Sequence, residues 1–254
     1  MVSTRTRYIL SIGILISSST FVHGQSFLTP ETEQKIQTLH SLQTLSALLV
    51  KPSVIQSASS STFRKGACPQ SNSILDDVYA LQTINDVMTL PSSYVPSHLV
   101  DIRTHIPTAG NVSICITQAS AQSLYRMYAD MKKENMTLLV VSGYRSYGGQ
   151  KQLYSTSAKS MNTGEYDRVA PAGQSEHQLG TAIDIANSTT SGVDFGSTQE
   201  SAWIQEHAHE YGFIVSYDVG EEEKTGYMYE PWHLRYVGVS NAVVLQKVAY
   251  KLTY

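Results

Sequence analysis

The run Ser175-Glu176-His177-Gln178-Leu179-Gly180-Thr181-Ala182-Ile183-Asp184, taken with the later Glu230-Pro231-Trp232-His233, is the stretch around which the fold is organised. The two runs supply two imidazoles and two carboxylates: His177, Asp184, Glu230 and His233. A catalytic zinc ion keeps three protein ligands of these kinds and an open position for water, whose pKa it lowers. We therefore expect three of these side chains to bind a metal and the fourth to act as a base.

Predicted strands and a turn should bring these groups close to one another. Asp184 lies on an alternating run typical of a strand, and His233 lies on the last predicted strand, residues 227–236. A turn at Gly180 would let His177 fold back towards Asp184, a geometry that spacing alone leaves open. The prediction is a zinc site in a cleft on the sheet.

A second histidine pair, His207 and His209, competes with this assignment. Residues two apart on a helix point to different faces, so the pair is poorly placed to share one metal ion. We interpret both as ordinary residues of a helix predicted over residues 203–211.

Hydrophobic periodicity in the rest of the chain predicts an α+β fold, because strands and helices are segregated along the sequence. We expect a central, mainly antiparallel sheet flanked by helices, with strands at residues 137–142, 181–186, 213–217 and 227–236. The continuous apolar run of the first strand predicts that both of its faces are covered and that it is central. Helices are expected near residues 81–90, from Thr117 to about residue 135, after Ser146, over residues 203–211 and after Ser240, with a charged turn at residues 221–224.

The first 24 residues have the pattern of a secretory signal peptide. Arg5 and Arg7 form a basic start, residues 8–16 are apolar, and Val22-His23-Gly24 precedes the expected cut. The apolar run is short for a membrane span, which needs about 20 residues. An uncleaved N-terminal anchor is the alternative, whereas a lipoprotein anchor is not indicated because no cysteine follows the run.

Composition divides the chain into three segments. Residues 1–24 are the signal peptide, and residues 25–64 hold an N-terminal helix, starting near Pro30, and a Ser-rich linker. Residues 65–254 form the domain that carries the predicted site.

The charge balance limits the partners. The formal net charge is −3 and becomes −5 without Arg5 and Arg7, so the chain lacks the basic footprint of a nucleic-acid-binding protein. No stretch after the signal predicts a membrane span. We expect a secreted or extracytoplasmic protein with no nucleic-acid partner and no stable membrane span once the signal is removed.

Two cysteines, Cys68 and Cys115, form an even pair in a chain expected to be exported. That setting favours a disulfide, with two unpaired thiols as the alternative. A zinc-binding role is disfavoured, because the two lack the close spacing of thiolate sites.

Three motifs occur in one order with sensible gaps. They are Ser142-Gly-Tyr-Arg-Ser-Tyr147 with Gln150, Ser175-x-His177-x-x-Gly180-x-Ala182-x-Asp184, and Glu230-Pro-Trp-His233-x-Arg235-Tyr236-Val-Gly238. Together they resemble the zinc D-alanyl-D-alanine carboxypeptidases of the VanY type and the related L,D-carboxypeptidases of bacterial cell walls. Weaker similarity runs from about residue 94 to residue 238, and residues 25–64 lie outside it.

The resemblance implies a role for each residue of the site. His177, Asp184 and His233 would be the ligands of one zinc ion per chain. Glu230 would be the general base that takes a proton from the attacking water and passes it to the leaving amine. Arg145 would stabilise the developing oxyanion or hold the substrate's carboxylate.

The resemblance also implies contacts with the end of the substrate. Gln150 and Ser175 would hydrogen-bond the terminal D-alanine, although a Gln on a helix or a Ser before a ligand can be merely structural. Trp232 would shape the pocket or pack in the core. The run Ser216-Tyr217-Asp218 departs from the family pattern, which has Arg and Pro around this Tyr, and that departure bears on substrate recognition rather than on the metal site.

The function implied is that of an exported zinc peptidase removing the C-terminal D-alanine from peptidoglycan stem peptides. A D,D-specific enzyme is favoured and an L,D-specific one is the near alternative, because the motifs are shared. An endopeptidase acting on cross-links is a further variant. A catalytically inactive zinc-containing binding domain is the alternative from a different class, disfavoured because Glu230 and Arg145 are both present.

Overall fold

The computed structural model describes residues 67–73, 76–79, 81, 84 and 88–252. These residues belong to one unit, Val50–Tyr254. The predicted signal peptide, N-terminal helix and Ser-rich linker lie outside the described residues. Within the part of the chain that is described, we find no helix both long enough and apolar enough to cross a membrane.

Two antiparallel sheets carry the fold. The smaller one pairs β1 (Leu99–Asp101) with β2 (Cys115–Thr117). The larger one is formed by β3 (Leu139–Ser142), β4 (Ala182–Ala186), β5 (Phe213–Val215) and β6 (His233–Tyr236), in the spatial order β3-β4-β6-β5. All of its neighbouring strands are antiparallel, so the predicted α+β fold with a mainly antiparallel sheet is confirmed.

Several helices begin at hydroxyl caps. The described α-helices are α1 (Asp76–Tyr79), α2 (Gln118–Lys133), α3 (Tyr147–Met161), α4 (Gln199–His207), α5 (Glu222–Thr225) and α6 (Val239–Leu252). The side chains of Thr117, Ser146 and Thr198 accept hydrogen bonds from backbone N–H groups in the first turns of α2, α3 and α4. Each such cap contributes about 1 kcal/mol. The helix starts predicted at Thr117 and Ser146 are confirmed.

The main core lies between α2 and the larger sheet. Leu124, Met127 and Met131 of α2 are fully buried and belong to one apolar cluster with Val140 of β3 and Ile183 of β4. Their spacing of three and four residues puts the α2 side chains on one helix face. Burying each side chain of this size contributes about 1.5–3 kcal/mol, so this contact fixes the helix against the strands.

Strand register places Asp184 in the middle of the larger sheet. It pairs with Ser142 of β3 on one side and with His233 of β6 on the other. Directly opposite residues project from the same face of a sheet, so these three side chains share one surface. The β3–β4 register shifts between Val140 and Ser142, a type of irregularity that re-aims side chains.

The first strand is not central, contrary to the prediction. It lies at one edge of the larger sheet, and Val141 is 44% exposed. On its outer side, among the described residues, an isolated bridge joins Val140 to Thr108. The apolar run therefore indicated a strand correctly but overstated its coverage, because Val140 faces the core whereas Val141 faces solvent.

The last strand is shorter than the predicted residues 227–236. Its first half bonds elsewhere: Tyr227 bridges to Asp167, and the Glu230 N–H donates to the Tyr217 carbonyl at 2.9 Å. Only His233–Tyr236 remains to pair with the sheet. This detour turns the Glu230 backbone away from the strand ladder while keeping it close in sequence to His233.

Other boundaries differ from the predictions by a few residues, which is usual for pattern-based assignment. The helix expected over residues 203–211 begins earlier, at Gln199, and its last turn is a 3-10 helix ending at Gly212, while β5 stops at Val215. The charged turn at residues 221–224 is largely the short helix α5, and the last helix begins at Val239. Of residues 81–90, those described are not helical, and 82, 83 and 85–87 lie outside the described residues.

A disulfide joins Cys68 to Cys115 across a sequence separation of 47 residues. It ties the segment before β1 to the start of β2. By the loop-closure argument, a link over this length stabilises a fold by about 4 kcal/mol.

Candidate metal centre and pocket

Three predicted ligands meet at the centre of the larger sheet. His177, Asp184 and His233 each offer a ligand atom, and these atoms all lie within 4.8 Å of one another. One oxygen of Asp184 lies 3.1 Å from His177 Nε2, and the other lies 3.1 Å from His233 Nδ1. Two imidazole nitrogens and a carboxylate oxygen form a donor set that suits zinc and related divalent ions.

A short 3-10 helix, Glu176–Leu179, presents His177 to the sheet. It begins at Ser175, whose side chain accepts from the His177 N–H, and it ends at Gly180, where φ is +69°. A Cβ at Gly180 would meet Leu99 Cδ2 at 2.8 Å and Pro96 Cγ at 2.9 Å. Because both the backbone angle and the space exclude a side chain, glycine is required for the turn that folds His177 back.

Hydrogen bonds on the far side of each imidazole select its tautomer. His177 Nδ1 lies 2.8 Å from the Gly143 carbonyl oxygen, so this nitrogen donates and Nε2 keeps its lone pair. His233 Nε2 lies 3.0 Å from Glu176 Oε2, so this nitrogen donates and Nδ1 is left for a metal. Such outer contacts orient metal-binding histidines and raise their basicity.

Burial and charge set the pKa values of the two imidazoles in opposite directions. Burial lowers the pKa of His177, although Asp184 opposes this shift. Burial would also lower the pKa of His233, but its hydrogen bonds to Asp184 and Glu176 raise it to about 10. In the metal-free cluster His233 therefore carries a second ring proton near neutral pH, and a bound cation would displace it.

Glu176 forms a buried support beneath the cluster. Its Oε1 accepts from Arg235 Nη1 at 2.7 Å, and its Oε2 accepts from Ser216 Oγ at 2.7 Å as well as from His233. Burial would raise the pKa of Glu176, but the Arg235 charge and these hydrogen bonds hold it well below its usual range. Glu176 therefore stays ionised and fixes the His233 ring through a charged acceptor.

Glu230 lies beside the cluster but is not part of it. It is 7% exposed, and it lines the same pocket as the three candidate ligands. Burial, helped by the negative charge of Asp184, raises the pKa of Glu230 to about 7, while His233 and Arg168 act to lower it. A carboxyl group with a pKa near neutrality is suited to take up and release a proton. A cation held by the cluster would lower that pKa.

Arg145 follows β3 and lies beside the cluster. Its Nη2 donates to Ser142 Oγ at 2.8 Å and lies 4.0 Å from Asp184, and its Nη1 donates to Gln150 Oε1 at 2.8 Å. Gln150 is buried and in turn donates to the Ala170 carbonyl at 2.6 Å. The guanidinium is thus fixed in position by protein partners beside the candidate ligands.

The three candidate ligands open onto one cavity of about 190 Å³, together with Glu230 and Arg145. Its wall contains every predicted site residue: Arg145, Gln150, Ser175, His177, Asp184, Glu230 and His233. Trp232, predicted to shape the pocket or pack in the core, also lines it. Sequence reasoning missed the remaining wall residues: Leu153, Met161, Arg168, Val169, Ala170, Tyr217 and Tyr227.

The sequence predictions also did not identify Arg235 and Glu176 as residues that support the site, and the two differ in how far the sequence points to them. Arg235 is two residues after His233 on a strand, and such residues share a face, so alternation alone could have placed it near the site. Glu176 precedes a ligand directly but gives no sign of its partner. Tyr217 reaches the pocket and packs its ring 4.9 Å from the His233 ring, whereas its neighbour Asp218 accepts from the Val219 N–H at 2.8 Å in an exposed turn.

The competing histidines lie elsewhere. His207 Nδ1 contacts Glu210 Oε1 at 3.0 Å on the surface, and neither His207 nor His209 lines the pocket. Their interpretation as ordinary helix residues agrees with this placement.

An antiparallel sheet that carries a largely buried His-Asp-His cluster, with a buried glutamate beside it, defines a domain with a candidate metal site. The family model described as "VanY: D-alanyl-D-alanine carboxypeptidase" matches residues 113–239, half of the chain. The chain belongs to this VanY family, and the resemblance drawn from its motifs is confirmed.

Individual relatives agree with this assignment. The "Putative carboxypeptidase YodJ" of Bacillus subtilis (strain 168) is 40% identical over 173 residues, which cover 65% of this chain and 63% of that protein. The chain spans less than two thirds of the length of the first curated relatives it matches.

Two solved structures are similar to this chain. The LdcB LD-carboxypeptidase is 37% identical, with a TM-score of 0.61 over 67% of this chain and 82% of that one. A mutant of the vancomycin resistance D,D-pentapeptidase VanY in complex with Zn(II) is 25% identical, with a TM-score of 0.54 over 66% of this chain and 94% of that one.

Proposed function

We propose that this chain is an exported, zinc-dependent carboxypeptidase that removes the C-terminal D-alanine from peptidoglycan stem peptides. The observation that carries the proposal is the meeting of His177, Asp184 and His233 with a buried, unliganded Glu230 in one pocket. Family membership and the Zn(II) complex of the VanY relative support the same reading.

His177 Nε2, Asp184 and His233 Nδ1 would hold the zinc ion. Their donor chemistry fits, and the hydrogen bonds to Gly143 and Glu176 already leave the right nitrogen of each ring free. When bound, the ion would supply a Lewis acid that lowers the pKa of water and polarises the scissile carbonyl.

Glu230 would move the proton. In its ionised form it accepts a proton from the attacking water, and in its protonated form it donates to the nitrogen of the departing D-alanine. Its burial raises the pKa of Glu230 and so favours uptake of the proton, whereas a bound cation would lower that pKa and favour its release to the leaving group.

Arg145 would stabilise the negative charge that develops on the carbonyl oxygen. Its guanidinium is held by Ser142 and Gln150 and lies 4.0 Å from Asp184, so it is fixed beside the metal ligands before substrate arrives. A preorganised cation of this kind is worth more than one that must be ordered during the reaction. Gln150 and Ser175 line the same pocket and would offer polar contacts to the terminal D-alanine.

Export is proposed from the predicted signal peptide and from the disulfide between Cys68 and Cys115. Disulfides persist mainly in oxidising compartments, and the proposed substrate lies outside the cytoplasm.

The test is D-alanine release from a stem pentapeptide by the full chain loaded with zinc. Chelation and Glu230→Ala should each abolish release, and a Glu230→Ala variant with full activity would rule out the mechanism. A stem tetrapeptide tests the second candidate, an L,D-carboxypeptidase, which the likeness to LdcB favours. Release from the pentapeptide alone supports the D,D assignment, and release from the tetrapeptide alone replaces it.

A further inference from the structure

A second arginine, Arg168, faces the pocket without a protein carboxylate as its partner. Its guanidinium carbon lies 5.7 Å from the centroid of the Trp232 ring, within range of a cation–π contact. Its Nε is buried and has no hydrogen-bond partner. No described carboxylate forms an ion pair with its guanidinium.

The backbone around Arg168 is held firmly, although it belongs to the loop after α3. Asn162 Oδ1 accepts from the N–H groups of Arg168 and Val169, at 2.9 and 2.8 Å. On the other side, Asp167 exchanges backbone hydrogen bonds with Gly226 and Met228, at 3.1 and 3.2 Å. A long cation that is anchored at its base and stacked on an aromatic ring is preorganised to bind an anion.

The two pocket arginines differ in what they already bind. Arg145 donates to Ser142 and Gln150 and lies 4.0 Å from Asp184, so both of its Nη groups already have protein partners. The Arg168 guanidinium stacks on the Trp232 face and acts on Glu230 only electrostatically. A guanidinium with free donors is the group that recognises a carboxylate through two parallel hydrogen bonds.

Covalent geometry favours one particular carboxylate. In a peptide cut at its last bond, the terminal carboxylate is separated from the leaving nitrogen only by the Cα, well within one residue length of about 3.8 Å. Glu230 is the residue that would protonate that nitrogen, and Arg168 lines the same wall and acts electrostatically on Glu230. A group that binds the terminal carboxylate should therefore lie in the same pocket as Glu230, as Arg168 does.

We propose that Arg168 binds the terminal carboxylate of the peptide and makes the pocket specific for a free chain end. This inference rests on the function proposed above and names the group by which the site would distinguish a carboxypeptidase substrate from an internal bond. Trp232 would act as the platform that positions the guanidinium.

Binding measured without turnover tests the proposal directly. The zinc-loaded Glu230→Gln chain is titrated calorimetrically with stem pentapeptide and tetrapeptide, each as the free acid and as the C-terminal amide. Adding Arg168→Gln should weaken binding of the free acid by about 10- to 100-fold, the worth of a charged bidentate pair, and leave binding of the amide within about twofold. Arg168→Lys should restore part of the preference for the acid.

The matched control is Arg103→Gln, the same substitution at an arginine that pairs with Asp101 in β1. It should change neither affinity. If Glu230→Gln alters the fold by circular dichroism, KM values for the acid and the amide in the Glu230 background give the same comparison.

Four results would overturn the inference. Equal weakening of acid and amide by Arg168→Gln would show that Arg168 only supports Trp232, and no weakening would show that it does not touch the ligand. Loss of binding only for peptides with an acidic diamino acid side chain would assign it to a different carboxylate. An unaltered zinc-loaded chain that neither binds nor cleaves any stem peptide overturns the proposed function, and this inference falls with it.

Discussion

The pocket has two ends that are built differently. The sheet end carries His177, Asp184 and His233 on β4, β6 and the turn before them, and each ring nitrogen there has a partner. The loop end carries Arg168 on the segment after α3, with donors left free. On the proposals above, the catalytic groups would lie on regular, fully hydrogen-bonded elements, whereas the group that recognises the substrate would lie on a loop that can change without disturbing them.

Metal removal should give the largest effect and acts only on the sheet end. Treating the purified chain with a strong chelator should abolish D-alanine release, because the cluster then has no Lewis acid to offer. Added zinc should restore the activity. Activity that persists in a chain shown to be metal-free by elemental analysis would contradict the assignment of the cluster.

Glu230→Gln should come next, with a fall in kcat of about 10²- to 10⁴-fold, because the proton-transfer group is lost while the shape is kept. Zinc content should stay at the level of the unaltered chain, since Glu230 is not among the ligands. Glu210→Gln, at a surface carboxylate that contacts His207, is the control and should leave kcat unchanged. A parallel fall in zinc content would make Glu230 a ligand.

Glu176→Gln should weaken zinc binding by about 10- to 100-fold, measured by competition with a chromogenic chelator, because the charged partner of His233 is removed. It also removes the charged partner of Arg235, and breaking such a buried ion pair costs about 3–5 kcal/mol, which thermal unfolding would register. Unchanged zinc affinity together with lowered stability would show that Glu176 serves the fold and not the metal.

Asn162→Ala should have the smallest effect, and it should fall on the loop end. The substitution removes three hydrogen bonds that hold the backbone at Arg168 and Val169. We expect KM to rise by about 3- to 10-fold, since each such bond is worth about 1 kcal/mol and the loop retains its other anchors. A change in zinc affinity would show that the two ends are coupled.

The sequence was most informative about the sheet end. His177, Asp184 and His233 could be predicted because their motifs lie on strands and at a turn that requires glycine, and both features are determined by the local sequence. The fold class followed from segregated periodicity in the same way. These features depend on neighbours in the chain and not on distant pairing.

What escaped prediction depends on contacts between distant residues. Arg235 and Glu176 form an ion pair although they are 59 positions apart, and the sequence around either residue does not indicate its partner. The edge position of β3 depends on which strands pair, and its apolar run is the same in either place. The role of the loop after α3 emerges only when Arg168 is seen against Trp232.

The shared carboxylate of Glu176 has an evolutionary consequence. It joins a candidate metal-binding imidazole and a buried cation into one unit, because exchanging any member alone leaves a buried charge or donor with fewer partners. Descendants of this chain should therefore vary at positions 176 and 235 together or not at all.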